Sequence, residues 1–333
     1  MRREPTFVGA QTGGLRVDTM NKTLLCAIAW CALATATHAQ QLPLLSNLQE
    51  SAGALNPAAI ATAYHVFEHD LSVVGVHHSQ WQGLEGAPRT SQLSADVLFD
   101  DYGPFSPNIG VYVVNDQTGP TGFTAAYAKL GGVVSDDLYY RGVSFALQLG
   151  VSQYRLRFDE LELRDEETVL AAGDDGRVSP DAGLGVYAYQ RMGNTVAFAG
   201  LSVPQVFGLD LSFRGTDGDV VTQRYRHYYA QVGAIVDLAE ESYFEAFAWG
   251  KYVPGLTPNV SVTTRYQTPS PFYVGVGGTS ALSLHAETGV LLGDRGGSAA
   301  LFRIGYAIDY AFADYGSYAG ATHEVALHYT FNR

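Results

Sequence analysis

The sequence predicts an all-β chain: a transmembrane, antiparallel up-and-down β-barrel of about 14 strands that follows a cleaved signal peptide. Three observations predict it. Strand after strand divides its side chains by parity between an apolar and a polar face. No window after residue 40 approaches the roughly 20 apolar residues of a helical membrane span. The connections alternate between long loops and tight turns, as hairpins threaded through a membrane require.

Parity is clearest at 301–312. Phe302, Ile304, Tyr306, Ile308, Tyr310 and Phe312 fall on one face, and Leu301, Arg303, Gly305, Ala307, Asp309 and Ala311 on the other. A soluble sandwich would also show two such faces, so this strand alone leaves sandwich and barrel open. The closing segment favours the barrel: Val325, Leu327, Tyr329 and Phe331 face one way and Glu324, Ala326, His328 and Thr330 the other. An apolar and aromatic terminal strand looks like an assembly signal of outer-membrane barrels, whereas in a soluble domain it would be an aggregation hazard.

The chain has 333 residues, 16% of them charged, with 21 Tyr, 16 Phe and 37 Gly. Met20-Asn21-Lys22 leads into an apolar run from Leu24 to Ala36 and then Thr37-His38-Ala39, which predicts signal cleavage after Ala39. The nineteen residues before Met20 show no signal-like pattern, so translation is expected to begin at Met20. Cys26 and Cys31 both lie in the removed segment, which leaves the exported protein without thiol or disulfide chemistry. Removal also takes four basic and two acidic residues, so 20 basic against 33 acidic becomes 16 against 31, a net of −15. That sign excludes a phosphate-neutralising nucleic-acid binder and suits acidic loops outside a cell.

The predicted organisation is an N-terminal extension and signal peptide (1–39), an irregular, periplasmic or plug-like segment (40–69) and a barrel (70–333). The middle segment lacks strand alternation and carries Asn56-Pro57-Ala58-Ala59. Strands are expected near 70–79, 90–98, 108–115, 122–130, 138–157, 182–191, 195–203, 225–238, 243–252, 259–266, 272–278, 282–292, 301–312 and 323–331. If the first begins in the periplasm, the long connections 158–181, 204–224 and 313–322 all fall outside, and the tight turns 192–194 and 239–241 fall inside. The short link 278–281 departs from the pattern.

On the expected inner face, Ser283, His285, Glu287 and Gly289 oppose Leu282, Leu284, Ala286, Val290 and Leu292, and His227, Gln231 and Asp237 oppose Tyr228, Val232, Val236 and Leu238. Inward Gly and Ala leave room for large neighbours. His285, Glu287, Glu324 and His328, with Arg303 and Asp309, are of types that build metal or acid–base sites. A paired polar network filling the lumen is the favoured reading, since charges withdrawn from water must find partners. The adjacent His77 and His78 point to opposite faces. The acidic run Asp159, Glu160, Glu162, Asp165, Glu166 and Glu167, with Asp174-Asp175-Gly176, lacks calcium-loop spacing and reads as a solvated loop. Gly275, Gly277 and Gly278 read as strand glycines. With no G-x-S-x-G, H-E-x-x-H or cysteine nucleophile, no catalytic, cofactor or metal residue is expected, nor an enzyme.

Several stretches resemble, in order, the PorP/SprF family of type IX secretion outer-membrane proteins of the Bacteroidetes. They are Leu55-Asn56-Pro57-Ala58; Gln80-Trp81-x-Gly83-x-x-Gly86-Ala87-Pro88-Arg89-Thr90; Asn115-Asp116-x-x-Gly119-Pro120; Ala126-Tyr127-Ala128-Lys129; Gly200-Leu201-Ser202-Val203-Pro204; and Thr322-His323-Glu324-Val325 to Phe331. Where the family usually has an arginine or other polar group before Gln-Trp, His77-His78-Ser79 stand here. The resemblance implies an outer-membrane barrel of a Gram-negative bacterium that helps export or surface-attach proteins carrying type IX C-terminal domains, in some members gliding adhesins. Its implied partners are those proteins, periplasmic lipoprotein or peptidoglycan-binding proteins, and outer-membrane lipid; no nucleic acid is implied. Trp81, Gly83, Gly86, Pro88 and Arg89 form the candidate partner-binding loop, although the same residues also suit a shaped interfacial loop. The strand count and the Asn56-Pro57-Ala58 segment are similar to long-chain fatty-acid transporters as well, so a channel for small apolar solutes is the alternative.

Overall fold

Fourteen antiparallel strands close into one barrel in the computed structural model, which describes residues 45–46, 49–100, 103–157, 175–207, 209–215, 218–293, 300–313 and 316–333. The expected signal segment, the cleavage point and the acidic run 159–174 lie outside the described residues. The barrel strands are β1 (Leu71–Ser79), β2 (Arg89–Leu98), β3 (Phe105–Thr118), β4 (Thr121–Asp137), β5 (Arg141–Leu156), β6 (Asp175–Met192) and β7 (Thr195–Val203). A separate hairpin follows, β8 (Leu209–Gly215) with β9 (Gly218–Arg224). The barrel resumes with β10 (Tyr228–Asp237), β11 (Tyr243–Tyr252), β12 (Asn259–Gln267), β13 (Phe272–Thr279), β14 (Ser283–Gly293), β15 (Leu301–Ala311) and β16 (Thr322–Phe331). Three short helices complete the fold: α1 (Ala52–Leu55), α2 (Thr62–Phe67) and α3 (Gly316–Ala319). No described helix is long and apolar enough to cross a membrane.

Each of the fourteen predicted strands corresponds to one barrel strand, and parity holds. In β15, Ile304, Tyr306, Ile308 and Tyr310 are exposed, while Arg303, Gly305, Ala307 and Ala311 are buried. Such an outward apolar surface is what hydrocarbon tails cover. Several boundaries differ from expectation, β3 (105–118 against 108–115) among them, and three differences matter most. β4 runs through Gly131 and Gly132 to Asp137, and the turn to β5 takes 138–140. β6 begins at Asp175 rather than near 182. The connection 204–224, read as a loop, contains the β8–β9 hairpin. Consequently β4, β5 and β6 have 17, 16 and 18 residues against nine in β7, so the wall stands higher on that side.

β1 and β16 close the barrel from Leu71–Phe331 to Ser79–His323. Just beyond this seam Arg333 donates from Nε to Asp70 Oδ2 (2.9 Å) and from its backbone N–H to Asp70 Oδ1 (3.1 Å), with its guanidinium 4.2 Å from the Phe99 ring centroid. Asp70→Ala is expected to cost about 1–2 kcal/mol, the worth of charged hydrogen bonds discounted for the one-third exposure of Arg333. A lower temperature for loss of the compact, SDS-resistant form would register it.

Inside the barrel, the stretch from Glu50 to Phe67 is mostly buried. Ala58, Ile60, Ala63, Tyr64 and Phe67 pack with Leu98, Val133, Tyr187, Phe198, Tyr243, Phe247 and Leu301 of the wall in one apolar cluster. The half of the lumen nearest the C-terminus therefore has a dry core, supplied by the chain that precedes β1.

Candidate functional site

The lumen contents are built from the inner segment outward. Asn56, 1% exposed, accepts the Ala58 N–H at Oδ1 (3.0 Å) and donates from Nδ2 to the Val186 carbonyl (3.1 Å), while Ser202 Oγ donates to the Leu55 carbonyl (2.7 Å). The first bond is local Asx-turn chemistry, and the other two fasten the turn to β6 and β7. No side chain fits opposite it: a Cβ on Gly185 would stand 2.0 Å from Asn56 Oδ1. One turn of chain earlier, Lys129 pairs with Asp96 (2.5 Å) and donates to the Gly53 carbonyl (3.2 Å).

Glu50 is the electrostatic centre. Its carboxylate lies 2.6 Å from Arg303 Nη1, 3.1 Å from Arg265 Nη1 and 2.7 Å from His328 Nδ1. Burial alone would raise this carboxyl; Arg303, His328 and Arg265 more than reverse that and hold it well below the usual carboxylate range. Arg265 also forks onto both Glu287 oxygens (2.9 and 3.1 Å), lies 3.2 Å from Glu245, and sits 4.9 Å from the centroid of the Tyr273 ring. Arg303 donates to the Tyr243 hydroxyl. The glycines opposite make room: a Cβ on Gly275 would come within 2.4 Å of Glu287, and one on Gly277 within 2.4 Å of His285.

The suspected acid–base residues thus divide. Glu287, Arg303 and His328 belong to the network around Glu50. Glu324 instead accepts from His78 Nδ1 (2.9 Å) and the Ser46 N–H (2.9 Å), and His285 meets Thr263 Oγ1 (3.1 Å). His77 is exposed and His78 is buried, on opposite faces as parity requires. No group of three potential metal ligands occurs among the described residues. Near the C-terminal end of the lumen, His65 bonds the Tyr187 hydroxyl (3.0 Å) and its carbonyl accepts from Arg191, which pairs with Asp237 (2.7 Å). Burial, with Arg191 adding to it, lowers the His65 imidazole to about 3.

The Trp81 loop forms part of the opposite rim, braced on both sides. Gln82 N–H donates to the Ala321 carbonyl (3.0 Å), Gly83 N–H to Ala319 (2.9 Å) and Trp81 N–H to Thr322 Oγ1 (3.2 Å). On its other side Gly119 N–H donates to the Gly86 carbonyl (2.7 Å), and Arg157 holds the Gly119 carbonyl (2.9 Å). Gly86 has φ +70, and a Cβ on Gly83 would come 2.7 Å from the Tyr318 carbonyl. Both glycines are therefore dictated by the loop's shape. Gly83, Gly86 and Arg89 are exposed, while Trp81 and Pro88 are half-buried. Gly83→Ala is expected to leave barrel yield unchanged and to displace the loop from α3, read as faster nicking at this loop by an added protease.

Two partner sets escaped sequence reasoning. Glu50 is the sole Asp, Glu, Lys or Arg between residues 40 and 67, a signal that it needs a buried cation, though not which one. Arg224, which holds Asp181 (2.9 Å) and the Phe207 carbonyl (2.6 Å) at the root of the β8–β9 hairpin, lay in a presumed loop.

Fold and lumen together define an outer-membrane β-barrel filled over part of its length by its own N-terminal segment. The chain belongs to the PorP/SprF family: the model of that family, described as type IX secretion system membrane protein PorP/SprF, matches residues 37–329. It is an outer-membrane component of the type IX secretion system, in a family of secretion components rather than enzymes, whose partners are secretion machinery and cargo. No curated protein matches the sequence. Among solved structures, it is similar to the Pseudomonas putida toluene transporter TodX (12% identity, TM-score 0.49, 85% of this chain and 93% of that one). The CymD monoaromatic hydrocarbon channel is also similar (9%, 0.49, 79% and 88%), as is a Pseudomonas aeruginosa FadL homologue (8%, 0.45, 79% and 89%). Likeness at this level carries no weight for function.

Proposed function

We propose that this barrel assists export or surface attachment of specific proteins bearing type IX C-terminal domains, gliding adhesins among them, and does not conduct solutes or catalyse a reaction. The observation that supports this is the lumen: from Glu50 to Phe67 the chain occupies it, held by Glu50, Asn56 and Gly53 to five different strands. A barrel held shut in this way is suited to work as a platform. Its candidate docking face is the braced rim carrying Trp81, Gly83, Gly86, Pro88 and Arg89, and rigidity there lowers the entropy lost on binding. Its inner-membrane-facing end would meet periplasmic lipoprotein or peptidoglycan-binding partners. Proposed catalysis has little support, since Glu287, Glu324 and His328 are each engaged in buried pairs.

The test is deletion of the gene with proteomics of the cell surface. Specific large surface or secreted proteins are expected to disappear from the surface and accumulate inside, while uptake of a labelled fatty acid stays normal. A complete surface proteome with impaired fatty-acid uptake would replace this reading with the channel for small apolar solutes.

A further inference from the structure

Three ladder rows on the outward face of β2–β5 change from apolar to polar to cationic toward the outer rim. Leu93, Val113, Ala126 and Val151 stand in register and are exposed. Two residues further along each strand come Ser91, Asn115, Thr124 and Gln153, and two further again Arg89, Gln117, Gly122 and Arg155. Period-two alternation puts all three rows on one surface. In the middle row Asn115 Nδ2 donates to Thr124 Oγ1 (2.8 Å), and Ser91 Oγ meets His77 Nδ1 of β1 (2.9 Å). Each arginine lies four residues past the last outward apolar side chain of its strand, about 13 Å along it, beyond the edge of the apolar band. Both arginines are exposed, and neither side chain has a hydrogen bond or ion pair among the described residues.

Charge on this surface is of one sign. Asp116, the acid at the outer end of these strands, faces inward and accepts from Thr90 Oγ1 (2.5 Å). Glu85 and the acidic run from Asp159 belong to the connections that follow β1 and β5. Among the described residues the wall's other outward arginine, Arg141, is at the opposite end and pairs with Asp136. A membrane lipid has the same order of parts. The apolar row offers contact to acyl chains, and the hydroxyls and amides of the middle row suit the polar groups of a sugar headgroup. Guanidinium forks bind phosphate oxygens in pairs. The arginine Cα atoms are three strand spacings apart, about 14 Å, across Gln117 and Gly122, which leaves a floor for the headgroup between them.

We propose that the outer half of β2–β5 is a binding site for a phosphorylated glycolipid of the outer leaflet, whose phosphate is held by Arg89 and Arg155. The inference goes beyond the docking reading of the rim and does not depend on it. A lipid held there borders the Trp81 loop, since β2 leaves that loop at Arg89.

Native mass spectrometry of the purified full barrel, titrated in detergent with lipid A, tests the site. A saturable lipid A adduct is expected. Removing the phosphates from the lipid, or combining Arg89→Gln with Arg155→Gln, should each weaken binding at least tenfold, and either single variant about threefold. Arg141→Gln, at the periplasmic end, should bind as the wild type does, and phosphatidylglycerol at least tenfold more weakly than lipid A. Neither Arg89 nor Arg155 has a side-chain partner to lose, so the variants should keep the compact form on gels; the dephosphorylated lipid gives the same test on the unaltered protein. No adduct, equal binding of phosphorylated and dephosphorylated lipid, or undiminished binding by the double variant would overturn the proposal. Equal binding of phosphatidylglycerol would overturn the choice of a glycolipid. Loss of surface proteins on gene deletion is measured separately, so this site can fail while the secretion reading stands, and the reverse.

Discussion

Arg265→Met is expected to lower the amount of folded barrel in the outer membrane by tenfold or more. In the native lumen one guanidinium touches Glu287 at both oxygens, Glu50 at 3.1 Å and Glu245 at 3.2 Å. Without it three buried carboxylates face each other, with Arg303 near Glu50 as the remaining arginine of the group. Removing one partner of a buried ion pair costs about 3–5 kcal/mol, because a charge is left without compensation, and here three are affected. Arg265→Lys should recover only part of the yield, since an ammonium lacks the planar fork that serves several carboxylates at once. Adding Glu245→Gln and Glu287→Gln to Arg265→Met should recover more. Quantifying the heat-modifiable band in outer membranes checks all three; a wild-type level of Arg265→Met would refute the assigned role.

Glu50→Ala acts on the inner segment instead of the wall. Arg265 retains Glu287 and Glu245, and Arg303 retains Tyr243, so the barrel is expected to assemble. The segment loses its strongest anchor, and a loss of about 3 kcal/mol corresponds to roughly a hundredfold rise in local opening. Cys26 and Cys31 both lie in the expected signal segment and no cysteine follows residue 39, so Ala54→Cys supplies a clean probe if that segment is removed. Its labelling by a membrane-impermeant maleimide should accelerate by tens to hundreds of fold in the Glu50→Ala background, and single-channel current across a planar bilayer should appear. Unchanged labelling would mean that the segment is held elsewhere.

Acid acts on the same segment with a defined sign. The depressed Glu50 pKa stabilises the docked state at pH values above the ordinary carboxylate range, and this contribution is lost only as pH falls through the lower folded value. His65 titrates earlier in its effect: neutral when docked down to about 3, it takes a proton in the undocked state below its ordinary value near 6.5. Maleimide labelling of Ala54→Cys, taken relative to an exposed control cysteine so that the loss of thiolate in acid cancels, should therefore rise as pH drops below about 6.5, and His65→Gln should flatten that rise.

Much of the wall was legible because each strand has two solvents and its parity declares both. Boundaries failed where that contrast weakened. The expected strand stopped at residue 130, yet Gly131 and Gly132 continue β4 where its neighbours leave no room for a side chain: a Cβ on Gly131 would meet the Phe145 carbonyl at 2.2 Å, and one on Gly132 the Phe105 ring at 2.3 Å. Parity also showed that Glu287, Arg303 and His328 face inward, but it is blind to pairing between strands far apart in sequence. Hence Arg265 and Glu50, separated by 215 residues, could not be joined by pattern alone. The Trp81 loop was legible as a motif. That its glycines answer to Tyr318 and Gly119 is a tertiary fact.

The anchors of the inner segment also impose an order in time. Ser46 and Glu50 each bond a residue 278 positions later, on the last strand. These residues are synthesised long before β16, which carries their partners Glu324 and His328. Closing such long contacts is slow, and the barrel's opening stretch must wait, uncommitted, for its closing strand. Docking of this early segment is thus a late step of maturation, and a chain interrupted before β16 has no means of completing it.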